Sequence, residues 1–251
     1  MKHCLPSRAA ALAAALSILS TAPAQGPEGR IVVAAEGASV LGPGGLFLAN
    51  PTGGNQRPTV VTGLPAELVG TPLDGVPHGA SAVLVRPDDQ KVVVGSSAET
   101  GGEVALFTID LDGATASTDR RLLLGHNTSG DGSRSRGVQE VAELPNGELL
   151  AVLDAGVTAD AGGTQPVQAL VIPATGNSGA APFPIQPGLG AVDLTGVAVS
   201  DGAVFFAAVT DAGLPSASTE IFSTPLTGGT RSSVATNTVA WPPRPSSRSM
   251  R

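Results

Sequence analysis

The chain of 251 residues is 41% hydrophobic and 14% charged, with 14 Lys and Arg against 21 Asp and Glu for a net charge of −7. The charges are scattered singly, without a run of five or more of one sign, which argues against nucleic acid and anionic membrane as partners. Only 3% of residues are aromatic, and there is one cysteine, Cys4.

At the N-terminus, Lys2, His3 and Arg8 accompany an apolar run over residues 9–20, and Ala22-Pro23-Ala24 offers small residues to a signal peptidase. Residues 1–24 therefore read as an export signal cleaved near Ala24. The run falls short of the ~20 residues that span a bilayer, and no second apolar segment of that length follows. The mature protein is expected to be soluble, secreted or periplasmic, with no membrane association after cleavage. Loss of Lys2 and Arg8 takes the basic count from 14 to 12 against 21 acidic residues, or −9. Cys4 leaves with the leader, so no disulfide is available in an oxidising compartment. Stability must come from burial, and a mature chain of about 225 residues hides roughly 70% of its unfolded surface.

After the leader, 33 Gly and 21 Pro across the chain punctuate short β-rich runs. A 3.6-residue apolar period is absent, so the chain reads as all-β. A turn of the P-x-G type followed at once by apolar residues occurs four times, at Pro27-Glu28-Gly29, Pro87-Asp88-Asp89, Pro145-Asn146-Gly147 and Ser200-Asp201-Gly202. The third turn residues lie 60, 58 and 55 residues apart, a period that marks one structural unit reused.

Four strands are expected in each unit. The first precedes the turn, over residues 81–86, 138–144 and 195–200. The second follows it, over 92–94, 149–153 and 204–209, and is apolar almost throughout, which implies cover on both faces. The third ends on a shared glycine, with Phe47, Phe107, Leu170 and Phe222 each six residues before Gly53, Gly113, Gly176 and Gly228. That glycine suits a tight hairpin turn, so Asp110-x-Asp112-Gly113 reads as a hairpin rather than as a calcium loop. The fourth is expected over 59–62, 121–124, 183–185 and 231–235. Residues 96–102 and 154–165 read as loops between second and third strands.

Small four-stranded antiparallel sheets repeating along a chain describe the blades of a β-propeller. Through "ELPNGELLAVL", "VRPDDQKVVVG" and "VSDGAVFFAAV" the chain resembles the NHL-like and gluconolactonase-like bacterial propellers, over essentially all of residues 26–237. The His and Trp-Asp signature of WD-type repeats is missing. The expected blades are 25–64, 65–125, 126–190 and 191–241 within a domain of 25–243, followed by a disordered tail of 244–251. Four blades are few, and the first lacks the strand before its turn. Residues 238–243 are expected to return and supply it; a partial or truncated propeller, or two chains joined, are the alternatives.

Loops between blades carry most of the polar residues suited to chemistry: Asp74 and His78, then His126, Asp131, Arg134 and Arg136, then Asp193. His beside a carboxylate suits a general base or a metal ligand, and Arg134 with Arg136 suits a fork for a carboxylate or sugar acid. No Gly-x-Ser-x-Gly elbow, His-Glu-x-x-His or Cys/His metal spacing is present. The expected function is a binding or interaction scaffold for a protein or small-molecule ligand, with no catalytic residue assigned and no cofactor. The resemblance to gluconolactonases implies an alternative, a metal-dependent hydrolase. It would hold a divalent cation such as Ca²⁺ on Asp74, Asp131 and Asp193, with His78 or His126 as base. A third reading is a fragment of a longer propeller.

Overall fold

A computed structural model describes residues 29–37, 43–52, 57–70, 78–86, 88–128, 136–158, 168–175, 180–186, 192–210 and 218–238. The expected leader, the tail and residues 239–243 lie outside them. The fold is all-β, built of antiparallel meanders. The first comprises β1 (Ile31–Gly37), β2 (Gly45–Ala49) and β3 (Thr59–Val60). The second comprises β4 (His78–Val85), β5 (Val92–Ala98), β6 (Glu103–Asp112) and β7 (Thr115–Asn127). In the third, β8 (Arg136–Glu143) and β9 (Leu149–Leu153) lead, past the short β10 (Val157–Thr158), to β11 (Ala169–Ile172) and β12 (Ala181–Pro182). After β13 (Ile185–Gln186), the fourth comprises β14 (Val192–Ser200), β15 (Ala203–Thr210), β16 (Ser218–Pro225), the short β17 (Gly229–Thr230) and β18 (Ser232–Thr238).

The third meander's last strand is shorter than expected and lies just before residues 183–185. Pro182 and Pro184 offer no N–H to a ladder, and the pairing is limited to Leu170–Pro182 and Val171–Ala181, with the Phe183 amide donating to the Ala169 carbonyl at 2.9 Å. Thr238 ends the fourth meander's own last strand, opposite Ser218.

Each turn carries a residue at positive φ, Gly29 at 72°, Gln90 at 58°, Gly147 at 80° and Gly202 at 78°, the last preceded by Asp201 at 49°. The second copy therefore turns on Gln90, one residue beyond Asp89, and the spacings become 61, 57 and 55. Counting from these residues exposes a strict alternation in the second strands. Three residues on stand Val32, Val93, Leu150 and Phe205; four residues on stand Val33, Val94, Ala151 and Phe206. Val93 packs with the third meander and Val94 with the first, while Ala151 packs with the second and Leu150 with the fourth. The third strands alternate in the same way: Leu46, Leu106 and Ala169 face the following sheet, and Phe107, Leu170 and Phe222 the preceding one.

Three cores result, each sandwiched between successive meanders. Sheet stacking thus explains why Val92 to Ser97 are all buried: a strand covered on both faces has no wet side to alternate against. Full burial of each Val, Leu or Phe contributes about 1.5–3 kcal/mol.

Short bridges also tie neighbouring meanders together. The end of β1 pairs with the start of β4 (Glu36–Gly79, Gly37–His78), and the end of β5 with the start of β8 (Ser97–Gly137, Ala98–Arg136). A parallel pair, Ile185–Gly229 and Gln186–Thr230, links the third and fourth. Among the described residues the strand pairing does not close on itself.

Candidate functional site

Seven residues beyond each positive-φ residue, at or just past the last residues of the second strands, stand Glu36, Ser97, Asp154 and Val209. The first three converge with the starts of the first strands at one end of the stacked sheets. Gly79 lies opposite both Glu36 and Ser97, and Ser97 opposite both Gly79 and Gly137. The Asp154 amide then donates to the Gly137 carbonyl at 2.9 Å. A single position in the repeat thereby collects a carboxyl, a hydroxyl and a second carboxyl from three sheets.

A local device aims the side chains. Each complete first strand carries a bulge at its fourth residue, where Ser81, Gln139 and Thr195 interrupt the register. A bulge bends the strand and redirects the extra residue. Ser81 Oγ donates across to the Val138 carbonyl at 2.8 Å, and Gln139 Nε2 donates to Asp154 Oδ2 at 2.9 Å. Gly137 makes the approach possible, since a Cβ there would meet the Ser96 carbonyl oxygen and the Ser97 Cα at 2.4 Å.

Asp154 is heavily engaged. Arg136 Nη1 forms an ion pair with its Oδ1, which also accepts the Gly156 amide at 3.1 Å. The two side chains are only 14% and 20% exposed, so the pair is sheltered but in contact with water. Glu36 behaves differently. Burial pushes its carboxyl above the ordinary value, and the nearby Asp154 charge adds to the rise. A hydrogen bond from Ser97 and the charge of His78 pull against it. The cluster therefore pairs a carboxylate that accepts from three donors with a carboxyl that holds its proton more tightly than usual. Such a set presents hydrogen-bond donors and acceptors to a polar ligand, whereas a general base needs a carboxylate with an acceptor position free.

His78 and Arg136 were expected on loops between blades. They are instead the first residues of β4 and β8, and they occupy equivalent positions, because each pairs with the end of the preceding meander's second strand. Asp193 lies within β14 opposite Val209, one step further along. His126 is also in a strand, β7, opposite Glu103 and Thr158. His78 and His126 stand on the first and fourth strands of one sheet, about 14 Å apart at ~4.8 Å per strand, so the two histidines are not brought together. Arg136 pairs with Asp154. Asp74, Asp131 and Arg134 lie outside the described residues. Among the described residues, no group of three His, Cys, Asp or Glu stands close enough to hold a metal.

Glu36, Ser97 and Asp154 escaped the sequence reading, which took residues 96–102 and 154–165 as loops. Their signal was positional, seven residues past the positive-φ turn residue, and the Asp89 register hid it in the second copy. Ser96 and Ser97 read as loop residues, but both are buried in β5, with Ser96 Oγ donating to the Ala105 carbonyl at 3.1 Å. The hairpin assigned to Asp110-x-Asp112-Gly113 is present, with Asp112 opposite Thr115.

Two surface clefts lie at the opposite, turn end. One, of about 330 Å³, is lined by Arg30, Asn50, Arg57 and Thr59; the other, of about 180 Å³, by Arg86, Lys91, Asp119 and Arg120. The second holds the ion pairs Lys91–Asp119 at 2.8 Å and Arg86–Glu143 at 3.2 Å, while Arg120 Nη1 donates to the Pro173 carbonyl at 3.0 Å. No protein-family model, curated protein or solved structure matches the chain.

Proposed function

We propose that the chain is a secreted β-propeller protein in which each meander is one blade. It binds a protein or small polar ligand across the end where the second strands finish. The observation that supports this reading is the collection of Glu36, Ser97 and Asp154 at one position of the repeat, joined by His78 and Arg136 from the next sheet. An assembly of matched, hydrogen-bonded groups serves recognition better than proton abstraction, because Asp154 is already occupied by Arg136, Gln139 and the Gly156 amide. Export follows from the leader at residues 1–24, and no helix among the described residues is long and apolar enough to cross a membrane.

A metal-dependent hydrolase is the second reading. It draws on Asp193, whose place in β14 opposite Val209 sets a further carboxylate residue at the same end of the sheets. Thermal unfolding of the mature protein in EDTA, and then in excess Ca²⁺, separates the two. The scaffold predicts a cooperative midpoint indifferent to calcium but raised by a polar ligand from a panel of sugar acids and polyols. The stabilisation would be roughly 2.7 kcal/mol at a hundredfold excess over Kd. A calcium-dependent rise with lactone hydrolysis that disappears in Asp74→Ala, Asp131→Ala or Asp193→Ala would replace it with the hydrolase.

A further inference from the structure

Every internal interface between meanders follows one rule. The residue four past the turn and the aromatic or Leu of the third strand face the preceding sheet. The residue three past the turn and the neighbour before that aromatic face the following one. The two end sheets carry the same sets with nothing packed against them among the described residues. In the first sheet Val33 is 37% exposed and its cross-strand neighbours Phe47 and Val60 are partly and 58% exposed. In the last, Phe205 is partly exposed, Ile221 is 41% exposed and Val234 56%.

We propose that these two faces are the halves of one more interlayer interface, completed by a second copy of this chain in a head-to-tail pair. The occupant follows from continuity with the interfaces already built. Residues equivalent to Val33 and Ile221 share a core in all three of them: Val94 with Leu46, Ala151 with Leu106, Phe206 with Ala169. The front of the molecule is thus the surface its own back is shaped to receive. Within one chain both faces stay exposed, so they do not cover each other. Two copies related by a two-fold axis set each first sheet against the partner's last sheet, forming two identical interfaces and leaving neither face open. Apolar β-surface of this kind, if left bare, is an aggregation site.

Sedimentation of the full mature protein at micromolar concentration should give the mass of two chains. Phe205→Asp on one face, and independently Val33→Asp on the other, should each reduce it to one chain while far-ultraviolet circular dichroism keeps its β signature. Both are surface positions, so their failure through misfolding is not shared. Cross-linking fixes the geometry, because the mature chain has no thiol of its own. A mixture of Val33→Cys and Ile221→Cys chains treated with a short bis-maleimide should yield covalent dimer, and neither variant alone should. A mass of one chain or an open-ended series overturns the proposal. So does a cross-link formed within a single chain carrying both cysteines.

Discussion

Val93 and Val94 are adjacent in β5, both fully buried, and belong to different cores: Val93 packs with Val138, Leu149 and Ala151 of the third meander, Val94 with Leu46 and Leu48 of the first. Their backbone neighbourhood is shared and their side-chain partners are not. Pleating alone produces this, since successive side chains leave a strand on opposite faces.

Val93→Ala and Val94→Ala should each destabilise the fold by about 2 kcal/mol, from two lost methyl groups and an unfilled cavity. Because the two side chains serve separate cores, the double variant should be additive to within about 0.5 kcal/mol. Urea denaturation of the three proteins measures this. A large coupling would mean that the cores are not independent layers.

Asp154→Ala should cost about 2–3 kcal/mol, a value below that of a fully buried pair because both partners retain some water contact. It strands the Arg136 guanidinium, whose Nε is already buried without a partner, and removes the acceptor of the Gly156 amide. Asp154→Asn should cost less, since its carbonyl oxygen still accepts that amide. Both should move the Glu36 carboxyl back toward its ordinary value by removing a neighbouring negative charge, as read by NMR titration of the Glu36 side chain.

Glu36 makes stability depend on pH in an unusual direction for a carboxyl. Its folded value lies above the ordinary carboxyl value of 4.5, so between the two the folded state binds more protons than the unfolded one. The stabilising contribution is present below the unfolded value and is lost as pH rises through the folded one. Glu36→Gln should therefore be more stable than the native protein at pH 7. It should also flatten the stability profile just above pH 4.5, as measured by unfolding in buffers from pH 4 to 8.

Gln90 holds φ at 58° where the other turns place glycine. Gln90→Gly should stabilise by up to about 1 kcal/mol, because a side chain in the left-handed region costs of order 1–2 kcal/mol. The reciprocal change, Gly147→Ala, should cost about 1 kcal/mol. A Cβ at 147 meets only Ala174 Cβ at an ordinary 3.8 Å, so that cost would be conformational rather than steric. Equal midpoints for all three proteins would mean that the turns relax freely.

Much of this architecture is legible in the residues themselves. The apolar runs after each turn declare strands buried on both faces, and Phe47, Phe107, Leu170 and Phe222 mark the third strands in register. These signals are local, carried by dihedral preference and by the period of side-chain direction, and they survive without knowledge of what packs where. The extension of β7 to His126, and the entry of His78, Arg136 and Asp193 into strands, had no such signal. Those residues are ordered by ladders with chain segments far away in sequence.

The sequence by itself determined that strands form, where they turn, and which side chains leave each strand on which face, because φ preferences and pleat alternation act within a few residues. Only the tertiary structure decided which strand ends meet. Glu36 reaches Gly79, and Ser97 reaches Gly137, across 43 and 40 residues. Sheet stacking and the bulges at Ser81 and Gln139 set those meetings. They turned a half-buried glutamate, a serine and an aspartate, each unremarkable in its own segment, into one polar cluster whose properties depend on their shared surroundings.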